Sequence, residues 1–162
     1  MMLSIRSATW ADRAAIWAIL EPVIRAGETY ALERTMRKDA ALAYWFAPGN
    51  RVFVAEENGA LLGTYLLRAN QSGGGAHVAN CGYMTAGHAT GRGIAHAMCA
   101  HSLDQARAAG FRAMQFNFVV VSNTRAVALW KACGFAVVGT LPGAFAHPVL
   151  GDVDALVMFR TL

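Results

Sequence analysis

Two kinds of residue in this 162-residue chain could do chemistry, and both are uncharged: glycines in a short turn and asparagines in apolar runs. The turn reads His88-Ala-Thr-Gly-Arg-Gly-Ile94, between a strand-like run at 76–85 and a helix-like pattern at 92–109. A glycine-rich passage from a strand into a helix start gathers backbone N–H groups around one concavity. The helix dipole adds positive charge there, so the spot suits a phosphate. The asparagines are Asn80, beside Val78 and Met84, and Asn117, inside Met114-Gln-Phe-Asn-Phe-Val-Val-Val121. A carboxamide buried in such company costs about 1–3 kcal/mol if it is left unpaired. A ligand's carboxylate, amine or carbonyl would satisfy it, and so would the backbone of separated strands. Asn123 fits equally as a helix cap and as a group facing a ligand.

The glycine turn is not a dinucleotide fingerprint. His96 stands where the third glycine belongs, and Arg112 occupies the region where an acidic residue is needed. Gly-Lys-Ser/Thr is missing as well, which removes a nucleotide triphosphate loop. A tight turn without a ligand is the remaining alternative.

The surrounding pattern predicts β-α-α-β-β-β-α-β-α-β-β. A short strand at 3–7 leads into a helix whose start, Thr9 with Asp12, has capping-box character and whose interior Pro22 should kink or split it. A second helix covers 37–46. Strands at 51–57 and 61–67 flank Asn58-Gly59, a hairpin signal. The long helix turns Ala95, Met98, Cys99, Ser102, Leu103 and Ala106 inward and stops at Gly110. A strand at 112–121, a helix capped by Asn123, and strands at 135–141 and 153–159 close the chain. No repeat or linker divides it, so residues 1–162 are expected to form a single domain. The expected fold class is α/β (α+β). Its central sheet is twisted and mostly antiparallel, with helices on both faces and one parallel crossover through the long helix.

Composition narrows the partners. The chain is 56% hydrophobic and 15% charged, with a net charge of +4 spread over scattered arginines. That argues against disorder and nucleic-acid binding, and a mild positive field fits a small anionic ligand. No run is long enough for a membrane span, and the N-terminus lacks signal-peptide regions. Cys81, Cys99 and Cys133 read as reduced thiols of a cytoplasmic protein. His77, His88, His96, His101 and His147 lack metal-ligand spacing, so no metal is predicted. Trp10, Trp17, Trp45 and Trp130 read as core.

With these residues in place, the chain resembles the GNAT superfamily of acetyl-CoA-dependent N-acetyltransferases, whose phosphate loop is Arg/Gln-x-x-Gly-x-Gly/Ala. His88, Gly91 and Gly93 fall on the three pattern positions, His88 in place of Arg or Gln. Asn123-x-x-Ala126-x-x-Leu129-Trp130-Lys-x-x-Gly134-Phe135 is similar to the family's second signature. The resemblance implies acetyl-CoA as co-substrate, with the N–H groups of Thr90, Gly91, Arg92, Gly93 and Ile94 on the pyrophosphate. It also implies that Met84 and Ala86 pair with the pantetheine arm and that the parallel strands splay beside the thioester. Many relatives place a Glu on the preceding strand as base and a Tyr on the last helix as acid. The run at 76–85 has no carboxylate, and Trp130 stands at the Tyr position, able to donate a hydrogen bond but not a proton.

A narrower likeness, carried by Asn80, Asn117-Phe118, Asn123 and the tail from Gly139 to Pro148, is to the fungal azetidine-2-carboxylate and proline-analogue N-acetyltransferases. It implies that Asn117 and the Phe118 backbone hold a substrate carboxylate while Asn80 and Asn123 orient the amine and the developing oxyanion. Tyr30, Thr29 and His147 are expected to wall the acceptor pocket, under a loop at 142–152 able to cover one side. The expected activity is N-acetylation of a small amine, amino acid or imino acid by direct attack in a ternary complex, with Cys81 set aside as an acyl carrier. A non-catalytic coenzyme A sensor and a protein or peptide N-acetyltransferase are the alternatives. The apolar final strands suit a homodimer.

Overall fold

One short parallel ladder governs the architecture. In the computed structural model, which describes residues 2–162, β4 (Val78–Thr85) and β5 (Ala113–Val120) pair only at Val78 with Ala113 and Ala79 with Met114. All other pairings are antiparallel. β1 (Ser4–Ser7), β2 (Arg51–Glu57) and β3 (Ala60–Ala69) lie on the β4 side. β6 (Ala136–His147) and β7 (Gly151–Thr161) lie on the β5 side. The order in the seven-stranded sheet is β1-β2-β3-β4-β5-β7-β6. This is the expected α/β arrangement, with Asn58-Gly59 turning β2 into β3.

Helices cover both faces: α1 (Arg13–Ala26), α2 (Lys38–Trp45), α3 (Ile94–Ala108) and α4 (Thr124–Ala132). Adjacent residues of β3 assign the faces, because successive side chains point to opposite sides. Thr64 accepts a hydrogen bond from Trp45 Nε1 of α2 at 3.0 Å. Gly63, next to it, lets α3 approach so closely that a Cβ there would meet Met98 at 2.8 Å. The core is continuous around both faces, with Ile16, Leu20 and Ile24 of α1 and Met98, Cys99 and Ala106 of α3 all buried. No helix among the described residues is long and apolar enough to cross a membrane.

The capping pair forms as expected, with the Thr9 N–H donating to Asp12 Oδ2 at 2.7 Å. Asp12 also takes two hydrogen bonds from Arg6, which, with the Thr9 N–H, holds its carboxyl down at about 2.

Four expectations need correcting. Pro22 does not split the first helix; α1 runs through it. Apolar residues buried on both sides of Pro22, Ile19 and Leu20 before it and Ile24 after it, hold the helix on the sheet and outweigh the missing N–H. The long helix begins at Ile94, two residues late, since Gly93 takes a positive φ of 79°. The segment 142–152 is not a covering loop. β6 continues to His147 and β7 starts at Gly151, making a hairpin arm. Trp10 is 80% exposed rather than core, lying beneath the Arg13 guanidinium at 4.3 Å.

Candidate active site

Where the parallel ladder stops, a cavity of about 960 Å³ opens between β4 and β5. Asn80 closes the ladder: its Nδ2 donates to the Gln115 carbonyl at 2.9 Å, a side-chain rung beyond the last backbone pair. Past that rung β5 diverges, and its register against β7 slips between Phe116 and Val119. The opening passes through the sheet, so both faces of β4 line it. Asn80, Gly82 and Met84 contribute from one face, and Cys81, Tyr83 and Thr85 from the other.

One end of the cavity is backbone. Gly91 and Gly93 take φ of 82° and 79°, a conformation that costs other residues about 1–2 kcal/mol. Gly93 caps α3 without any side-chain hydrogen bond, and the first helical bond there runs from Ala97 N to Gly93 O. The N–H groups of Ile94, Ala95 and His96 are therefore the open donors of the helix start. Those residues line the cavity with Thr90, Gly91 and Gly93. Arg125, in the first turn of α4, reaches over the turn, with its Nη2 lying 3.4 Å from where a Gly91 Cβ would sit.

Several expected cofactor residues sit differently. His88 is exposed and outside the cavity lining, because the turn at Gly87–Ala89 carries it outward. The Arg92 side chain also turns away and pairs with Glu57 Oε1 at 2.7 Å. Ala86 is not free to pair with a ligand, since its N–H donates to the Leu62 carbonyl at 2.8 Å. Ladder alternation turns the backbone of Met84 to the same β3 edge. Tyr83 and Thr85 therefore present their backbone to the gap, and Met84 lines the cavity with its side chain.

The other end is made of side chains on the α1–α2 face. The Tyr30 hydroxyl donates to the Tyr83 carbonyl at 2.8 Å, and burial pushes its phenol well above the ordinary tyrosine range. Gly82 makes room for it, because a Cβ there would lie 3.2 Å from that hydroxyl. Asn80 is 9% exposed, and its Oδ1 accepts from Arg68 Nε at 3.4 Å. Asn117 is not a buried amide. It lies exposed at the cavity's rim, accepting from Gln115 Nε2 at 2.9 Å and donating to Asn70 Oδ1 at 2.6 Å. Phe118 lines the cavity and meets Phe145 of the hairpin arm edge-on, with centroids 6.1 Å apart. His147 is absent from the lining. Its Nδ1 accepts the N–H groups of Val149 and Leu150 at 3.1 Å each, closing the turn of the arm. Asn123 both lines the cavity and caps α4, its Oδ1 accepting from Ala126 N at 3.4 Å.

The chemistry available here is unusual in its charge. Among the described residues no carboxylate lines the cavity; the permanent charges are Arg68 and Arg125. Tyr83 is bonded to Ser102 Oγ at 2.6 Å, stands 4.9 Å from the Trp130 ring, and is pushed well above its ordinary range by burial. Burial likewise pushes the Cys81 thiol up to about 12. The cavity can therefore bind anions and orient polar groups, while it offers no ionised base.

Among the lining residues that the sequence does not mark as part of a site are Arg68, Arg125 and His96. Two had a signal. Arg125 lies two positions after the capping Asn123, on a helix start facing the gap. Arg68 continues the buried alternation of Leu62, Thr64 and Leu66, where a charge is out of place.

The family model described as the acetyltransferase (GNAT) family matches residues 14–135. The chain is similar to a GCN5-related N-acetyltransferase from Kribbella flavida, with 43% identity and a TM-score of 0.94 over 99% of this chain and 98% of that one. It also resembles yncA of Salmonella typhimurium, solved with its cofactor acetyl-CoA, at 25% identity and a TM-score of 0.87, covering 100% and 95%. An N-acetyltransferase of Schizosaccharomyces pombe is 23% identical over 137 residues, 75% of this chain. The match spans 66% of that relative's own length, a little under two thirds.

Proposed function

Because the chain belongs to the acetyltransferase (GNAT) family of acetyl-CoA-dependent N-acetyltransferases, we propose that it acetylates the amine of a small amino or imino acid by direct attack in a ternary complex. The observation that carries this reading is the through-sheet cavity, with open helix donors at one end and a half-buried polar pocket at the other.

The residues present fit the co-substrate. The N–H groups of Ile94, Ala95 and His96, with Arg125 above them, make a site for a diphosphate. Glycine at 91 and 93 leaves the approach clear. Acetyl-CoA supplies an activated acyl group, which the gap between β4 and β5 positions beside the acceptor.

On the acceptor side, Asn80 orients the amine, and Asn123 faces the oxygen that gains charge during attack. Tyr30 and Phe118 form the walls, and Asn117 orders the rim. Trp130 packs beneath the gap. With no carboxylate among the described lining residues, the amine enters neutral in this reading. The N–C bond forms as the C–S bond breaks, and the proton shed by nitrogen balances the one gained by sulfur. A cyclic imino acid of the azetidine-2-carboxylate type is one acceptor within this class, supported by the cavity-lining positions of Asn80 and Asn123. Residues 1–162 act as one catalytic domain in this reading. The exposed Val137 and Val138 on edge strand β6 support a homodimer.

A thiol-release assay with acetyl-CoA and a panel of amino acids, imino acids, polyamines and peptides tests the proposal. Turnover is expected with amino or imino acids, rising with pH toward the acceptor's own amine pKa. Coenzyme binding without any turnover, or turnover with peptides alone, would overturn it.

A further inference from the structure

The cavity holds a cation at each end, and a diphosphate accounts for only one of them. Arg125 overhangs the glycine turn. Arg68 sits at the opposite end, across the β3–β4 ladder from Asn80 and about 17 Å along β4 from Thr85, at roughly 3.3 Å per residue. It is half-buried and takes part in none of the five ion pairs among the described residues. Its one side-chain hydrogen bond among the described residues is the long Nε contact to Asn80 Oδ1 at 3.4 Å, which leaves the terminal Nη nitrogens without a partner among them. Arg68 lines the cavity, and the planar fork of a guanidinium matches a carboxylate in two parallel hydrogen bonds.

Resting on the acetyl-transfer reading above, we propose that Arg68 is the residue that selects the acceptor, by binding a carboxylate carried on the carbon next to the amine. The Asn80 carboxamide beside it settles where the nitrogen goes. Its Nδ2 is committed to the Gln115 carbonyl, so its Oδ1 is the end that can accept an amine N–H. Carboxylate on Arg68 and amine on Asn80 Oδ1 are neighbouring positions, as an α-amino or α-imino acid requires. Val23, Leu32, Tyr44 and Phe118 of the same cavity are apolar or aromatic, which suits an uncharged side chain on the acceptor. This displaces Asn117 as the carboxylate anchor, since both ends of its amide are used at the rim. It also disfavours polyamines, which would set a second cation against Arg68.

The test compares alanine, valine and proline with their carboxamides, each rate expressed per neutral amine because the amides titrate lower. The wild-type enzyme should prefer the free acids by about 100-fold in kcat/KM, the scale of a charge-assisted hydrogen-bonded pair. In Arg68→Gln the acids should lose that preference through KM, while the amides and the KM for acetyl-CoA stay where they were. Arg68→Lys should restore part of it. Equal use of acid and amide by the wild type, or an equal fall for both in Arg68→Gln, would overturn the assignment. If the wild type turns over no acceptor, the acetyl-transfer reading fails separately. Calorimetric titration of the coenzyme A-loaded protein with proline then decides for Arg68. Binding lost in Arg68→Gln supports it, and binding indifferent to that change, or none at all, refutes it.

Discussion

The two ends of the cavity are built from different materials. At the glycine turn the open polar groups are main-chain N–H groups on α3, and the side chains of His88 and Arg92 face away. At the opposite end the polar groups are the side chains of Arg68, Asn80 and Tyr30, each positioned by pairing with another strand or side chain. A backbone site can hold the part of a ligand that never changes. A side-chain site can be retuned one residue at a time.

The comparison breaks most visibly if the backbone end tolerates side chains. Gly91→Val forces a β-branched residue into a φ of 82° and brings its Cβ against Arg125. Coenzyme A affinity should fall by more than about 100-fold in equilibrium dialysis, against about 1–2 kcal/mol lost in urea unfolding. Unchanged affinity would mean that the turn holds nothing. Asn80→Ala removes the rung at the mouth of the gap and orphans the Gln115 carbonyl. A fall of about 30-fold in kcat is expected with coenzyme affinity retained, along with about 1–3 kcal/mol of stability. Should coenzyme binding collapse instead, the two ends are not separable. Arg125→Gln is the mildest of the three. Coenzyme affinity should drop about tenfold at low ionic strength, with the deficit shrinking as salt is raised. An effect independent of salt would assign Arg125 a packing role.

The same contrast sets how much was legible in the sequence. The glycine turn could be read because only glycine suits its backbone angles, so spacing alone betrayed it. Asn58-Gly59 and Thr9-Asp12 announced their turn and cap for the same local reason. Arg68 went unnoticed because its importance depends on lying opposite Asn80, a matter of register between distant segments. The apolar neighbours of Asn117 imply a buried amide. The slip in register at Phe116 and Val119, invisible in the string of residues, leaves it at the rim. His147 was misplaced because Pro142 and Gly143 look like loop residues. The strand bulges between Leu141 and Phe145 and then continues, carrying the imidazole to the tip of the arm.

Cys81 is one of the residues that line the cavity where, in the proposed reaction, an activated acetyl group would pass. Burial holds its thiol far above the ordinary cysteine range, so the thiolate is scarce at neutral pH. Self-acetylation by thioester exchange would therefore be starved of its nucleophile. Desolvation acts here as a protecting group: it keeps the donor intact until an outside nitrogen enters, and spares the enzyme from modifying itself.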